Sequence, residues 1–260
     1  MSERTEYAPG TPSWIDLSTT DRAAAKDFYN GLFGWSYEDM DAGPGATYTM
    51  ASKKDHTVAG MADLMKEQAE QGIPPHWQSY VTVADVDATA AAAEKAGGTV
   101  FAPPFDVLDA GRMAVIADPT GAVFAVWQAK NHIGAGLVNE HGTLTWNELL
   151  SPDVPKAAKF YKAVFGWDSE TNEGQGMTYT EFKLDGESIA GGMAPPMEGI
   201  PPVWGIYFAV DDADATIAEA TKRGATVING PIDIPIGRFA VLMDPQGAVF
   251  SVMKMANPPD

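Results

Sequence analysis

Apolar residues recur at Ala25, Phe28, Tyr29 and Leu32, the i, i+3, i+4, i+7 spacing that gives a helix one buried face. Asp21 stands where it can cap the start of that helix, and Gly34 follows as its C′ residue. The same spacing returns at Ala157, Phe160, Tyr161 and Val164. Elsewhere the pattern switches to the alternation of strands. "AVIADPTGAVFAVW" predicts two strands joined by a tight turn at Asp118-Pro119-Thr120-Gly121, and Asp244-Pro245-Gln246-Gly247 repeats it. Before each of the two helices an alternating stretch begins on a tryptophan, Trp14 in "SWIDLSTTD" and Trp146 in "TWNELLSPD".

These echoes form an internal duplication. Asp21 matches Asp153, Phe28-Tyr29 matches Phe160-Tyr161, and Phe33-Gly34-Trp35 matches Phe165-Gly166-Trp167, each 132 residues on. "ATYTM" around Tyr48 matches "MTYTE" around Tyr179, and "AGM" ending at Met61 matches "GGM" ending at Met193. Further along the offset falls to 127, for "GIPPHWQSYVTVADVDA" against "GIPPVWGIYFAVDDADA", and then to 126 around the Asp-Pro turns. Such drift marks loop insertions between matching elements. Each half also carries a weaker duplication, since "YVTVADVDATAAAAEKAGG" follows the plan of "WIDLSTTDRAAAKDFY". Every quarter therefore reads strand, helix, then two or three strands. Hairpins outnumber parallel crossovers, so the class is α+β, with four tandem βαβββ units in two half-barrel domains. The expected limits are residues 9–130 and 143–256, joined by a linker over 131–142.

A chain of 260 residues with 45% hydrophobic residues and 26 glycines has the size of two globular domains. Seventeen basic against 35 acidic residues give a net charge of −18, which argues against nucleic acid and anionic membrane surfaces as partners. The absence of cysteine removes disulfides, thiolate metal sites and cysteine nucleophiles, and fits a cytoplasmic location, with export lacking a signal peptide still open. A small-molecule ligand and a monomer or homodimer are the expected associations.

Four βαβββ units in two pairs, with "FY…LFGW" closing the first helix of each pair and "DPxGAxF" before its last strand, resemble the vicinal oxygen chelate superfamily. That superfamily includes glyoxalase I, extradiol dioxygenases, fosfomycin-resistance enzymes and bleomycin-binding proteins. The resemblance runs from about Thr11 to Met255 and is strongest to two-domain actinobacterial proteins called glyoxalase-like or hydroxylase-like. It implies a half-open barrel around a pocket in each half. In metal-dependent members it also implies a histidine seven residues before the helix-opening aspartate and a glutamate seven residues after the aspartate of "DPxG". Here those positions hold Trp14, Gln78, Trp146 and Gly205 in place of histidine, and Ala125 and Ser251 in place of glutamate. An indole cannot ligate a metal, and His56, His76, His132 and His141 lie elsewhere. The expectation is therefore a site with no metal and no other cofactor.

Strand alternation places Asp16 on the face of Trp14 and Glu148 on the face of Trp146. Gln78 and Tyr80 form a similar row, and Tyr207 stands beside Gly205 in the counterpart strand. An aromatic floor with a few polar groups suits a planar, mostly apolar ligand, with Trp14, Gln78, Tyr80, Trp146 and Tyr207 as contacts. The plainer reading of the tryptophans is core packing, and of the carboxylates a structural hydrogen bond. The sharper one makes Asp16 and Glu148 general bases in a lyase or hydroxylase-like enzyme, to which the family resemblance alone adds glyoxalase-type chemistry on methylglyoxal-derived substrates. Arg112 and Arg238, matched across the repeat, either pair with Asp106 and Asp233 or steady an anion at the pocket mouth. The leading expectation is metal-independent binding of a small aromatic or hydrophobic metabolite, with the enzyme as the alternative.

Overall fold

A computed structural model describes residues 2–43, 45–174 and 177–257. The first unit runs through β1 (Pro12–Thr19), α1 (Arg22–Phe33), β2 (Ser36–Asp41), β3 (Thr47–Lys53) and β4 (His56–Asp63). A short helix that the sequence pattern does not announce, α2 (Lys66–Glu70), leads to the second unit: β5 (His76–Thr82), α3 (Val86–Lys95), β6 (Thr99–Val107), β7 (Gly111–Ala117) and β8 (Val123–Ala129). The third unit comprises β9 (Leu144–Leu150), α4 (Val154–Phe165), β10 (Asp168–Gly174), β11 (Met177–Leu184) and β12 (Glu187–Met193). The fourth comprises β13 (Val203–Ala209), α5 (Ala213–Lys222), β14 (Thr226–Ile234), β15 (Gly237–Met243) and β16 (Val249–Met255). Among the described residues no helix is long and apolar enough to cross a membrane.

Each half is one eight-stranded sheet, ordered β2-β3-β4-β1-β5-β8-β7-β6 and β10-β11-β12-β9-β13-β16-β15-β14. The last strand of a unit returns parallel to its first, as β4 does to β1 and β8 to β5, while the two units meet through antiparallel β1 and β5. The expected helix ends form as the residues dictate. Asp21 Oδ1 accepts the Ala24 N–H at 3.0 Å, Asp153 Oδ1 accepts that of Lys156 at 2.9 Å, and Gly34 and Gly166 close the helices at φ 72° and 77°.

The helix-bearing faces of the two sheets share their cores. Phe33, Trp35 and Trp77 of the first half pack with Phe208 and Phe250 of the second. Burying each such ring stabilises the fold by roughly 1.5–3 kcal/mol relative to leaving it in water. The repeated motifs meet across this seam. Tyr29 Oη donates to Asp244 Oδ2 at 3.0 Å and accepts from Trp77 Nε1 at 3.1 Å. In mirror fashion, Tyr161 Oη donates to Asp118 Oδ2 at 2.8 Å and accepts from Trp204 Nε1 at 2.8 Å. The other carboxylate oxygen of Asp118 accepts the N–H groups of Thr120, Gly121 and Ala122, holding the turn. Trp35 and Trp167 donate to the carbonyls of Gly142 and Gly10 at 2.7 Å each. The "FY", "FGW" and "DPxG" repeats are thus the joint between the halves. They leave the opposite, helix-free face of each sheet for chemistry.

Register corrects one expected match. Tyr48 stands opposite Ala62, and Tyr179 opposite Met193. Gly60 therefore corresponds to Gly191, not to Gly192 as aligning "AGM" on "GGM" implies. A one-residue slip in a strand exchanges its faces, so the distinction decides which glycine borders the site.

Candidate functional site: tyrosine–carboxylate clusters on the helix-free faces

In β1, Ile15 and Leu17 enter the helix-side core, so Trp14 and Asp16 lie on the helix-free face. Trp14 pairs with Tyr80 of β5, and Asp16 with Gln78 of β5 and Gly60 of β4. Tyr48, from β3, reaches across β4 to this cluster over Gly60. A Cβ on that glycine would lie 1.8 Å from Tyr48 Oη, so the glycine is a packing requirement. Trp14 Nε1 donates to Tyr48 Oη at 3.1 Å, and Tyr48 Oη donates to Asp16 Oδ2 at 3.2 Å. Tyr80 Oη donates to the same oxygen at 2.8 Å.

The second half repeats most of this relay. Trp146 Nε1 donates to Tyr179 Oη at 3.1 Å, and Tyr207 Oη donates to Glu148 Oε1 at 2.8 Å. A Cβ on Gly191 would stand 1.9 Å from Tyr179 Oη. Burial raises the carboxyl pKa of both Asp16 and Glu148, and the tyrosine hydrogen bonds oppose it only in part. Burial, and then the neighbouring carboxylate, push the four tyrosines up in turn, so they act as O–H donors. The titrating group of each site is its carboxyl.

Of the residues singled out in the sequence, Trp14, Asp16, Gln78 and Tyr80 come together on one face, and Trp146, Glu148 and Tyr207 on the other. Arg112 and Arg238 do not join them, which corrects the pocket-mouth expectation. Arg112 pairs with Asp106 in the register and turns toward α3, where Nε meets Asp87 Oδ2 at 2.7 Å. Arg238 likewise meets Asp214 of α5 at 3.0 Å and Asp233 at 2.7 Å. Both arginines fasten a helix to the back of the sheet. Tyr48 and Tyr179 complete the sites and were not singled out, although their "TYT" repeat on alternating strands was visible.

The positions that would hold metal ligands in the family, Trp14, Gln78, Ala125, Trp146, Gly205 and Ser251, do line these faces, since Ala125 pairs with Tyr80 and Ser251 with Tyr207. The donor chemistry does not fit a divalent metal. Each face offers one carboxylate already engaged by tyrosine hydroxyls, and among the described residues no three His, Asp or Glu side chains converge.

The two faces differ in cover. The segment after β8 folds over Trp14: the His132 ring meets its indole edge-on at 4.5 Å, and Ala135 and Val138 join the same cluster. Trp127 Nε1 anchors the segment on the His132 carbonyl at 2.8 Å. Trp14 is left 4% exposed, and Trp146 alone among the seven tryptophans is not buried.

Residues 11–126 and 143–252 match the Glyoxalase/Bleomycin resistance protein/Dioxygenase superfamily, and the chain belongs to it. A protein named "Putative glyoxylase CFP32" from Mycobacterium tuberculosis is 51% identical over 259 residues, covering 98% of this chain and 99% of its own. "Anthracycline biosynthesis protein DauV" of a Streptomyces strain is 38% identical, with 96% and 95% covered. The Mn(II)-bound glyoxalase from Novosphingobium aromaticivorans shares the fold at a TM-score of 0.67 and 17% identity, over all of this chain and 85% of that one.

Proposed function

We propose that this glyoxalase-like protein binds a small aromatic or apolar metabolite on its helix-free faces, without a metal. The observation that carries the reading is a tryptophan in each half where the family's metal-dependent members keep a histidine, set beside a tyrosine-bonded carboxyl. Aromatic rings supply contact area there, and one carboxyl per site orients a polar edge of the ligand. The Streptomyces relative's name, an anthracycline biosynthesis protein, supports the ligand class. Native mass spectrometry of protein purified gently from its host tests it. An organic adduct with no metal is expected, and a stoichiometric divalent metal overturns the proposal.

A second reading, a lyase or hydroxylase-like enzyme, is favoured by one observation: a buried carboxyl of raised pKa bonded by tyrosine hydroxyls in each half, Tyr48 and Tyr80 on Asp16 and Tyr207 on Glu148. Asp16 or Glu148 would move a proton, and the tyrosine O–H groups would stabilise the resulting oxyanion. The glyoxylase name of the mycobacterial relative points the same way. Turnover that survives Asp16→Asn combined with Glu148→Gln removes this reading.

A further inference from the structure

We infer that the second half holds the working ligand seat, with Trp146 as its stacking platform and Gly205 as the residue that sets the size of molecule admitted. The inference rests on the aromatic-binding reading above and adds which site is used and what shapes it.

Three differences between equivalent positions point the same way. The first is the cover. Trp14 lies beneath His132 and the connecting segment and is buried, whereas Trp146 is only half-buried and no described aromatic ring packs on it. A tryptophan left half-buried in a protein that buries its other six has indole surface a planar ligand can cover, which would complete its burial.

The second difference lies beside the carboxylate. Asp16 pairs with Gln78, but Glu148 pairs with Gly205. Gly205 is unlike Gly60 and Gly191, which tyrosine rings require. A Cβ there would meet nothing nearer than the Glu148 carbonyl oxygen, at 3.6 Å, and its backbone φ is not positive. Neither packing nor conformation explains this glycine, so its effect is the space it leaves over the strand.

The third is on the far side of the tyrosine. Met50 pairs with Gly60 and packs against the Trp14 cluster. Its counterpart, Glu181, pairs with Gly191 and turns to Ser188, whose Oγ donates to it at 2.7 Å. An apolar filler is replaced by a half-buried carboxylate held by Ser188.

The seat so defined suits a planar aromatic molecule with an O–H or N–H edge. The ring would lie on Trp146 over Gly205, with the donor turned to Glu148.

Calorimetry with 2-naphthol as probe tests this on the full-length chain, with Gly205→Gln as the decisive variant and Gly205→Ala as the smaller step. The expected result is one site per chain, weakened at least tenfold by Gly205→Gln and less by Gly205→Ala. Bound probe should also protect the acrylamide-accessible fluorescence that Trp146→Phe removes. Binding that is unmoved by Gly205→Gln, or that protects none of the Trp146 fluorescence, overturns the assignment to this half while the aromatic-binding reading stands. Absence of any binding at millimolar probe overturns both.

Discussion

The two helix-free faces descend from one plan and have diverged, while the seam between the halves has stayed symmetric. At the seam Tyr29 meets Asp244 and Tyr161 meets Asp118, with distances of 3.0 and 2.8 Å. On the free faces, Trp14 is covered where Trp146 is not, and Gln78 stands where Gly205 leaves space. Buried reciprocal hydrogen bonds tolerate little change, because a lost partner leaves a desolvated group behind. A surface that faces solvent or ligand has no such constraint. The repeat therefore persists where it fastens the fold and fades where the halves are free to take different work.

The largest effect that tests this symmetry is at the seam. Asp118→Ala and Asp244→Ala should each cost about 3–5 kcal/mol, since each leaves a buried tyrosine hydroxyl and several turn N–H groups unmet. Urea unfolding would show nearly equal losses for the two variants. A loss confined to one would mean that the seam is not symmetric.

The covered face should make the protein acid-sensitive through one residue. Burial lowers the His132 pKa from 6.5 to about 4. Stability from a group depressed in this way is present above 6.5 and is lost as pH falls toward 4, up to about 3 kcal/mol. His132→Phe keeps a ring against Trp14 but cannot charge, so it should flatten the fall in urea midpoint between pH 7 and 4.5. It should leave Trp14 covered, whereas His132→Ala should expose Trp14 to acrylamide and make the first face resemble the second.

A smaller and symmetric loss is expected at the glycines beneath the tyrosines. Gly60→Ala and Gly191→Ala each drive a methyl into a tyrosine hydroxyl and should cost about 2 kcal/mol. Gly192→Ala is the comparison that checks the register. Its added Cβ would meet Phe182 Cε2 at 2.9 Å on the helix side, so it should lower stability without disturbing the Trp146–Tyr179 hydrogen bond.

Much of this architecture was legible in the residues. Helix periodicity at Ala25, Phe28, Tyr29 and Leu32, the capping aspartates and the Asp-Pro turns encode local structure directly, and all of them form. Strand alternation likewise put Trp14 with Asp16 and Trp146 with Glu148. Of the two readings of the arginines, the ion pairs with Asp106 and Asp233 form and the pocket-mouth role does not, because alternation alone does not say which face a strand turns to its helix, where Asp87 and Asp214 arrive. Tyr48 and Tyr179 escaped because each reaches its carboxylate across an intervening strand, and only the register reveals the glycine that lets it pass. The cover on Trp14 comes from chain between the repeats, where no internal copy exists for comparison.

The finest comparison is between the two carboxyls. Folding raises the pKa of Asp16 from 3.8 and of Glu148 from 4.5, through burial in both cases. A carboxyl raised in this way holds its proton more tightly in the native protein than in the unfolded chain. Its contribution to stability is full below the ordinary value and is lost as pH rises through the raised one. Asp16→Asn and Glu148→Gln carry no such proton, and a tyrosine O–H can still donate to the amide oxygen. Relative to the wild type, each variant should therefore gain stability as pH rises from 4 to 8. The gain should be greater for Asp16→Asn, because Gln78 and the packed Met50 enclose Asp16 while Glu148 borders the space above Gly205. Urea midpoints across that pH range would measure both slopes. Equal slopes would mean that the space over Gly205 brings no extra water to Glu148, which weakens the case for an open seat in the second half.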